Sequence, residues 1–310
     1  MVRVNKNPAE HIMPLNMNGL QGRMLYLPPP VGKTRQILFI YGTHSSLERW
    51  FGLAQILNRY GAVTMPDLPG FGGMESFYKI GKKPTIDNLA DYLAAFVKMR
   101  YKRKSVTIVG MSFGFVVVTR MLQRFPELGK KVELLVSVVG FAHKDDFTFT
   151  KPRYWFYRLT SKLFTTSLTA RLFRATALSP TVLRAVYGRT HNAKRKLSAV
   201  APEFIPQMID VEVWLWRNND VRTYMQTSSD FLKLDNCQKQ VDLPVWHVGI
   251  TNDHFFDNSL VEQHLQVIYN ELHSMKISGL TNHAPTVVAT AKEAAPFVPV
   301  LLRRQLSKRP

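Results

Sequence analysis

The chain carries two hydrophobic rhythms. Short, continuous apolar runs recur at Ile37-Leu38-Phe39-Ile40-Tyr41, Ala62-Val63-Thr64-Met65, Val106-Thr107-Ile108-Val109, Val132 to Val139 and Val245 to Ile250. A run with no polar face reads as a strand buried on both sides of a parallel sheet. Between the runs, apolar residues fall at helical spacing. Trp50, Phe51, Leu53, Ala54 and Leu57 predict a helix over about 47–60. Thr85 caps a second, with Ile86, Leu89, Leu93 and Phe96 on one face, and a third runs from Phe115 to Phe125. The order β-α-β-α-β-α-β argues for a parallel sheet with right-handed crossovers. Residues 1–31 read as an irregular or edge-strand lead-in, interrupted by Leu27-Pro28-Pro29-Pro30.

From Lys144 to about Gln240 the strand rhythm stops and helix-like segments replace it. Ser179-Pro180 has the form of an N-cap with proline at the first helical position, and 206–218 and 221–234 read as helices. After the strand at 245–250 come a helix around 260–272, a short strand near 275–277 and a last helix between about 286 and 306. The expected fold class is therefore α/β, a mostly parallel central sheet flanked by helices. Residues 1–143 and 241–310 form its two parts, and an all-helical insertion occupies 144–240.

Composition narrows the function classes. With 45% hydrophobic residues, a 310-residue chain can bury a large core. A lone cysteine, Cys237, allows no internal disulfide, which fits a reducing, cytoplasmic compartment. The first twenty residues hold no apolar core of a signal peptide, and no apolar stretch is long enough to span a bilayer. One cysteine and scattered histidines make no zinc spacing, and the glycine-rich turns match neither a phosphate loop nor a dinucleotide fingerprint. No metal or cofactor is expected.

The strongest candidate chemistry lies in Gly110-Met111-Ser112-Phe113-Gly114, between an apolar run and a helix. A serine hydroxyl needs exposure and a neighbouring base to become a nucleophile. A sharp strand-to-helix turn provides the exposure, and the helix N-terminus behind it supplies unpaired N–H groups for a developing oxyanion. Glycines on either side let the backbone crowd together.

In four places the sequence resembles the α/β-hydrolase fold family, in its branch with a helical cap after the sixth strand. These are the Ser112 pentapeptide, Asp67-Leu68-Pro69-Gly70-Phe71-Gly72, the stretch Gly249 to Asp253 after a late strand, and Asn282-His283-Ala284-Pro285. They stand in the order nucleophile, acid, histidine. The resemblance implies that Ser112 is the nucleophile, His283 the base and Asp253 the acid that orients it. Asp145 and Asp257 are the second and third choices for the acid. The backbone N–H groups of Thr43 and Phe113 would form the oxyanion hole, and Tyr41, Gly42 and Met111 would wall the substrate pocket. Two positions depart from the family: Tyr41 precedes Gly42 where histidine is common, and Asn282 precedes His283 where glycine is common. Relatives that open epoxides or remove halides carry aspartate at the elbow, so serine points to acyl transfer. The implied activity is hydrolysis of a carboxylic ester, including a lipid ester, of a small-molecule acyl substrate. Alternatives are a C–C bond hydrolase or acyltransferase on the same residues, or a binding protein that keeps the fold without catalysis. His44, His143, His247 and His254 read as structural or exposed.

Charge adds one expectation. Lysine and arginine outnumber aspartate and glutamate 41 to 22, for a net +19. Residues 151–200 contain eleven of these cations, no acidic residue, and interleaved aromatics such as Tyr154, Trp155, Phe156 and Tyr157. That mixture suits peripheral contact with anionic membrane. No nucleic-acid module is evident, and no nucleic-acid partner is expected.

Overall fold

The computed structural model describes residues 7–187, 202–278, 288 and 290–308. Its centre is an eight-stranded sheet in the order β1-β2-β4-β3-β5-β6-β7-β8. The strands are β1 (Ile12–Met17), β2 (Leu20–Leu27), β3 (Arg35–Ile40), β4 (Gly61–Pro66), β5 (Val106–Met111), β6 (Val132–Val138), β7 (Val241–Ile250) and β8 (Tyr269–Ile277). From β4 through β8 all neighbours run parallel, and β3, β4 and β5 are buried along nearly their whole length.

The lead-in is more regular than its prolines suggest. β1 and β2 form an antiparallel hairpin that joins the sheet beside β4. Its turn is Asn18-Gly19, both at positive φ (53° and 79°), the residue pair that a two-residue hairpin turn favours.

Helix α1 (Phe51–Asn58) links β3 to β4, α2 (Ile86–Arg100) links β4 to β5, and α3 (Phe113–Arg124) links β5 to β6. The strand order reverses at β3, which has β4 on one side and β5 on the other. At such a switch point the loops leaving the carboxyl ends diverge, and a crevice opens between them. The loops concerned are Tyr41-Gly42-Thr43 after β3 and Ser112 after β5.

Among the described residues, the helices between β6 and β7 are α4 (Lys151–Leu163), α5 (Ser167–Ala175), α6 (Pro180–Val186), α7 (Ile205–Asn218) and α8 (Val221–Phe231). They share a small core of Ala170, Leu178, Leu183, Val213, Val221 and Met225, separate from that of the sheet.

Two elements near the C-terminus differ from expectation. Helix α9 (Asn258–Ile268) stops at Ile268, and the chain enters β8 directly, where pairing with β7 from Tyr269 to Ile277 overrides the helical pattern. The expected last helix is broken into α10 (Ala291–Ala294), a 3₁₀ turn over Ala295–Phe297 and α11 (Val300–Ser307). Pro296 and Pro299 supply the breaks, since neither can donate a helical hydrogen bond.

Candidate active site

Ser112 is the residue that joins β5 to α3, with φ 49° and ψ −122°, a conformation that L-residues avoid. Strain of this kind costs on the order of 1–3 kcal/mol and survives only where the surroundings impose it. Here they do. The Ser112 N–H donates to the Val138 carbonyl at 2.9 Å, and the Ser112 carbonyl accepts from the Phe115 N–H at 3.0 Å. The flanking glycines are obligatory for close approach. A Cβ on Gly114 would lie 2.3 Å from the Ile40 carbonyl oxygen, and one on Gly110 would lie 2.6 Å from the Phe115 Cα. The chain after β3 presses on the same serine, because a Cβ on Gly42 would sit 3.2 Å from the Ser112 Cβ. The backbone N–H of Phe113 belongs to the first turn of α3, where helix geometry provides no acceptor. The Thr43 hydroxyl is buried and has no hydrogen-bond partner among the described residues.

Gly42, Thr43, Met111, Ser112 and Phe113 border one cavity of about 840 Å³. Much of its wall comes from the helices between β6 and β7 and the loop leading into them, through side chains such as Phe149, Tyr157, Phe164 and Trp216. The site is thus apolar and aromatic around a few polar groups, the usual make-up of a small-molecule pocket.

Tyr41 is not in that wall. It is fully buried, and its hydroxyl donates to Asp67 Oδ1 at 2.6 Å while accepting the Leu68 N–H at 3.2 Å. Asp67 Oδ2 accepts from Arg23 Nε at 3.0 Å and from the Gly73 N–H at 2.8 Å, and Arg23 continues to Glu48 at 2.6 Å. Burial pushes the Asp67 carboxyl up to about 6, against the opposing pull of Arg23 and the Tyr41 hydroxyl. So the tyrosine at the departure from the family pattern ties the turn beside Ser112 to the Asp67 turn.

That second turn also carries the helices. Gly70 and Gly72 have φ of 86° and 61°, and a Cβ on Gly70 would collide with the Thr223 side chain of α8. The Asp220 N–H donates to the Gly70 carbonyl at 2.8 Å, and the Gly72 N–H donates to Asn219 Oδ1 at 2.7 Å. Asn219 Nδ2 lies 3.1 Å from His44 Nδ1.

Asp253 follows β7. Its Oδ1 accepts the N–H groups of Phe255 at 2.7 Å and Phe256 at 3.3 Å, which shapes the loop, and the adjoining Asn252 and His254 border the cavity. His283 lies outside the described residues. Of the other acids considered, Asp145 is largely exposed with His143 Nδ1 at 3.4 Å, and Asp257 caps α9 through the N–H groups of Ser259 and Leu260.

His44, Arg49 and Glu212 are cavity residues that sequence reading missed. All three are buried. His44 has φ 49°, its Nε2 lies 3.7 Å from Glu212 Oε2, and its ring centroid lies 4.0 Å from that of Trp216. Arg49 donates to the His44 carbonyl at 3.0 Å. The available signal was a histidine one residue beyond the expected oxyanion turn. Among the described residues no group of three or more histidine, cysteine, aspartate or glutamate side chains is placed to hold a metal ion.

Comparison with known proteins agrees with this architecture. A family model described as the α/β-hydrolase fold matches residues 36–268. The chain belongs to the α/β-hydrolase fold family. Similar solved structures include an epoxide hydrolase, with TM-score 0.65, 16% identity, and coverage of 95% of this chain and 97% of the other. A thermophilic esterase from Thermogutta terrifontis has TM-score 0.60 and 13% identity, covering 96% and 98%. An N-acyl homoserine lactonase complexed with N-hexanoyl homoserine has TM-score 0.64 and 15% identity, covering 95% of each chain. The sequence matches no curated protein. At these identities the likeness is one of fold, and the fold supports a hydrolase.

Proposed function

We propose that the protein is a serine hydrolase that cleaves a carboxylic ester with a largely apolar acyl or alcohol part. The observation that carries this reading is Ser112, forced to φ 49° at a helix N-terminus and bordering an aromatic-rich cavity of about 840 Å³. The helices between β6 and β7 act as a cap over that cavity. In the proposed reaction His283 takes the Ser112 proton as Oγ attacks the ester carbonyl, and Asp253 orients the imidazole and stabilises its cation. The tetrahedral oxyanion is held by the backbone N–H groups of Thr43 and Phe113, and the buried Thr43 hydroxyl is a third donor available there. One such donor is worth roughly 10²–10³ in rate. Collapse breaks the ester C–O bond, and the imidazolium returns its proton to the departing alcohol. Water, deprotonated by the same imidazole, then releases the acid from the acyl-enzyme. Relatives of this fold include an enzyme that opens epoxides, but a serine ether formed by such an opening would have no carbonyl for water to attack, which favours an acyl substrate here.

The test is labelling with a fluorophosphonate probe, with the modified peptide read by mass spectrometry, followed by a series of p-nitrophenyl esters of increasing chain length. The expected adduct is on Ser112, absent in Ser112→Ala and weakened in His283→Ala. A folded wild type that takes no adduct and turns over no ester would overturn the reading in favour of a non-catalytic binding protein.

A further inference from the structure

Helix α4 presents a continuous apolar stripe to solvent. Trp155, Phe156, Leu159 and Leu163 are 60%, 62%, 70% and 52% exposed. At about 100° per residue these four fall within an arc of about 100°. Lys151, Arg158 and Lys162 border one side of the same arc, within about 60° of it. The opposite face, with Tyr157, Ser161 and Phe164, turns inward. Helix α5 repeats the pattern with Leu168 at 78%, Leu172 at 64% and exposed Arg171. Exposed apolar residues scattered singly need no explanation, but six on two consecutive helices, at helical spacing, do.

We propose that the exposed face of α4 and α5 docks on an anionic lipid bilayer. Charge complementarity selects this occupant. Residues 151–187 contain seven lysines and arginines and no acidic residue. Lys151, Arg158, Lys162 and Arg171 form no ion pair among the described residues, whereas Arg184 is already paired with Asp210. An amphipathic helix with bulky apolar groups on one arc and cations beside it lies in the membrane interface, its apolar arc among the acyl chains and its cations at the lipid headgroups. The long stems of lysine and arginine let the charge reach the headgroups from beside a buried stripe. Among the described residues no helix is long and apolar enough to cross a membrane, so the contact is peripheral. Phe156 belongs to two surfaces at once, the exposed stripe and the lining of the cavity that holds Ser112. The proposed lipid-facing stripe and the cavity wall therefore share a residue.

Co-sedimentation with vesicles of phosphatidylcholine alone, and of phosphatidylcholine with phosphatidylglycerol, tests the proposal without using Ser112, so failure of the esterase reading and failure of this one are distinguishable. The wild type is expected to bind the anionic vesicles and to be released progressively by salt. The double variant Arg158→Gln, Lys162→Gln should lose about fivefold per cation in partitioning. The double variant Trp155→Ser, Leu159→Ser should lose at least about tenfold, because those side chains no longer leave water. Near-ultraviolet circular dichroism and the melting temperature establish that both variants are folded. Equal, salt-independent binding to both vesicles, or variants that partition like the wild type, would overturn the proposal. So would a dimer in solution that the Trp155→Ser, Leu159→Ser variant dissolves, which would assign the stripe to a second copy of the chain.

Discussion

Tyr41→Phe removes one oxygen from the turn that leads to Ser112. That hydroxyl is fully buried, donates to Asp67 Oδ1 at 2.6 Å and accepts the Leu68 N–H at 3.2 Å. The variant loses a short bond to a carboxylate and leaves a buried amide with no acceptor. A hydrogen bond to a charged group is worth roughly 1.5–3 kcal/mol, and an orphaned buried donor costs about 1–3 kcal/mol. Partial relaxation makes the expected total about 3 kcal/mol, or roughly 6 °C in Tm for a chain of this size. The loss should depend on pH. Burial already places the Asp67 carboxyl at about 6, above the ordinary value of 3.8. The folded protein therefore holds that proton more tightly than the unfolded chain, and this contribution to stability declines as pH rises from 3.8 towards 6. Without the Tyr41 donor the carboxyl moves further up and the decline continues beyond 6, so the variant's deficit should be larger at pH 8 than at pH 5. Urea unfolding at the two pH values measures it. A cycle with Asp67→Asn should return a coupling well above 0.5 kcal/mol, since the two side chains touch. A deficit under 1 kcal/mol at both pH values, or strict additivity with Asp67→Asn, would refute the reasoning and reduce Tyr41 to a hydrophobic filler.

Two further predictions concern positions near the site and beneath it. Gly42→Ala places a methyl group 3.2 Å from the Ser112 Cβ and 3.5 Å from the Met111 carbonyl oxygen, so the fold should survive while the serine shifts by a few tenths of an ångström. With an ester substrate, kcat should fall roughly tenfold with little change in KM, and unchanged kcat would mean that the turn does not set the position of the serine. His247, buried in β7 with Ser137 Oγ at 2.9 Å, has its imidazole pushed down to about 4 by burial. Between pH 6.5 and 4 the unfolded chain takes up a proton that the folded one refuses, so stability should fall by about 3 kcal/mol as the pH drops through that window. His247→Asn should flatten this part of the stability–pH curve in chemical denaturation, and an identical curve would show that another group governs acid sensitivity.

What the sequence reveals depends on how local the determining interaction is. The Ser112 turn was legible because its strand, glycines and helix are contiguous and each restricts the backbone by itself. The parallel sheet was legible because burial on both faces erases polar positions. Other features depend on partners far along the chain. The family resemblance puts Tyr41 in the pocket wall, but its hydroxyl is satisfied by Asp67, 26 positions away. His44 gains its role from Glu212 and Asn219, which no spacing rule connects to it. The Asn18-Gly19 turn carried its hairpin signal openly, yet the nearby prolines outweighed it. At β8, pairing with β7 decided the matter against the helical periodicity of Tyr269 to Leu272.

Asn219 has a consequence for cooperativity. A single side chain at the junction of α7 and α8 accepts from the Gly72 N–H with its oxygen, while its nitrogen lies against His44, next to Thr43. Lifting these helices from the sheet would break both contacts together and release the backbone beside Ser112. Helix docking and the geometry around Ser112 thus share one free energy, and linkage makes the coupling reciprocal. A molecule that tightens the packing beneath the helices should sharpen the arrangement at Ser112, and one that occupies that arrangement should hold the helices down.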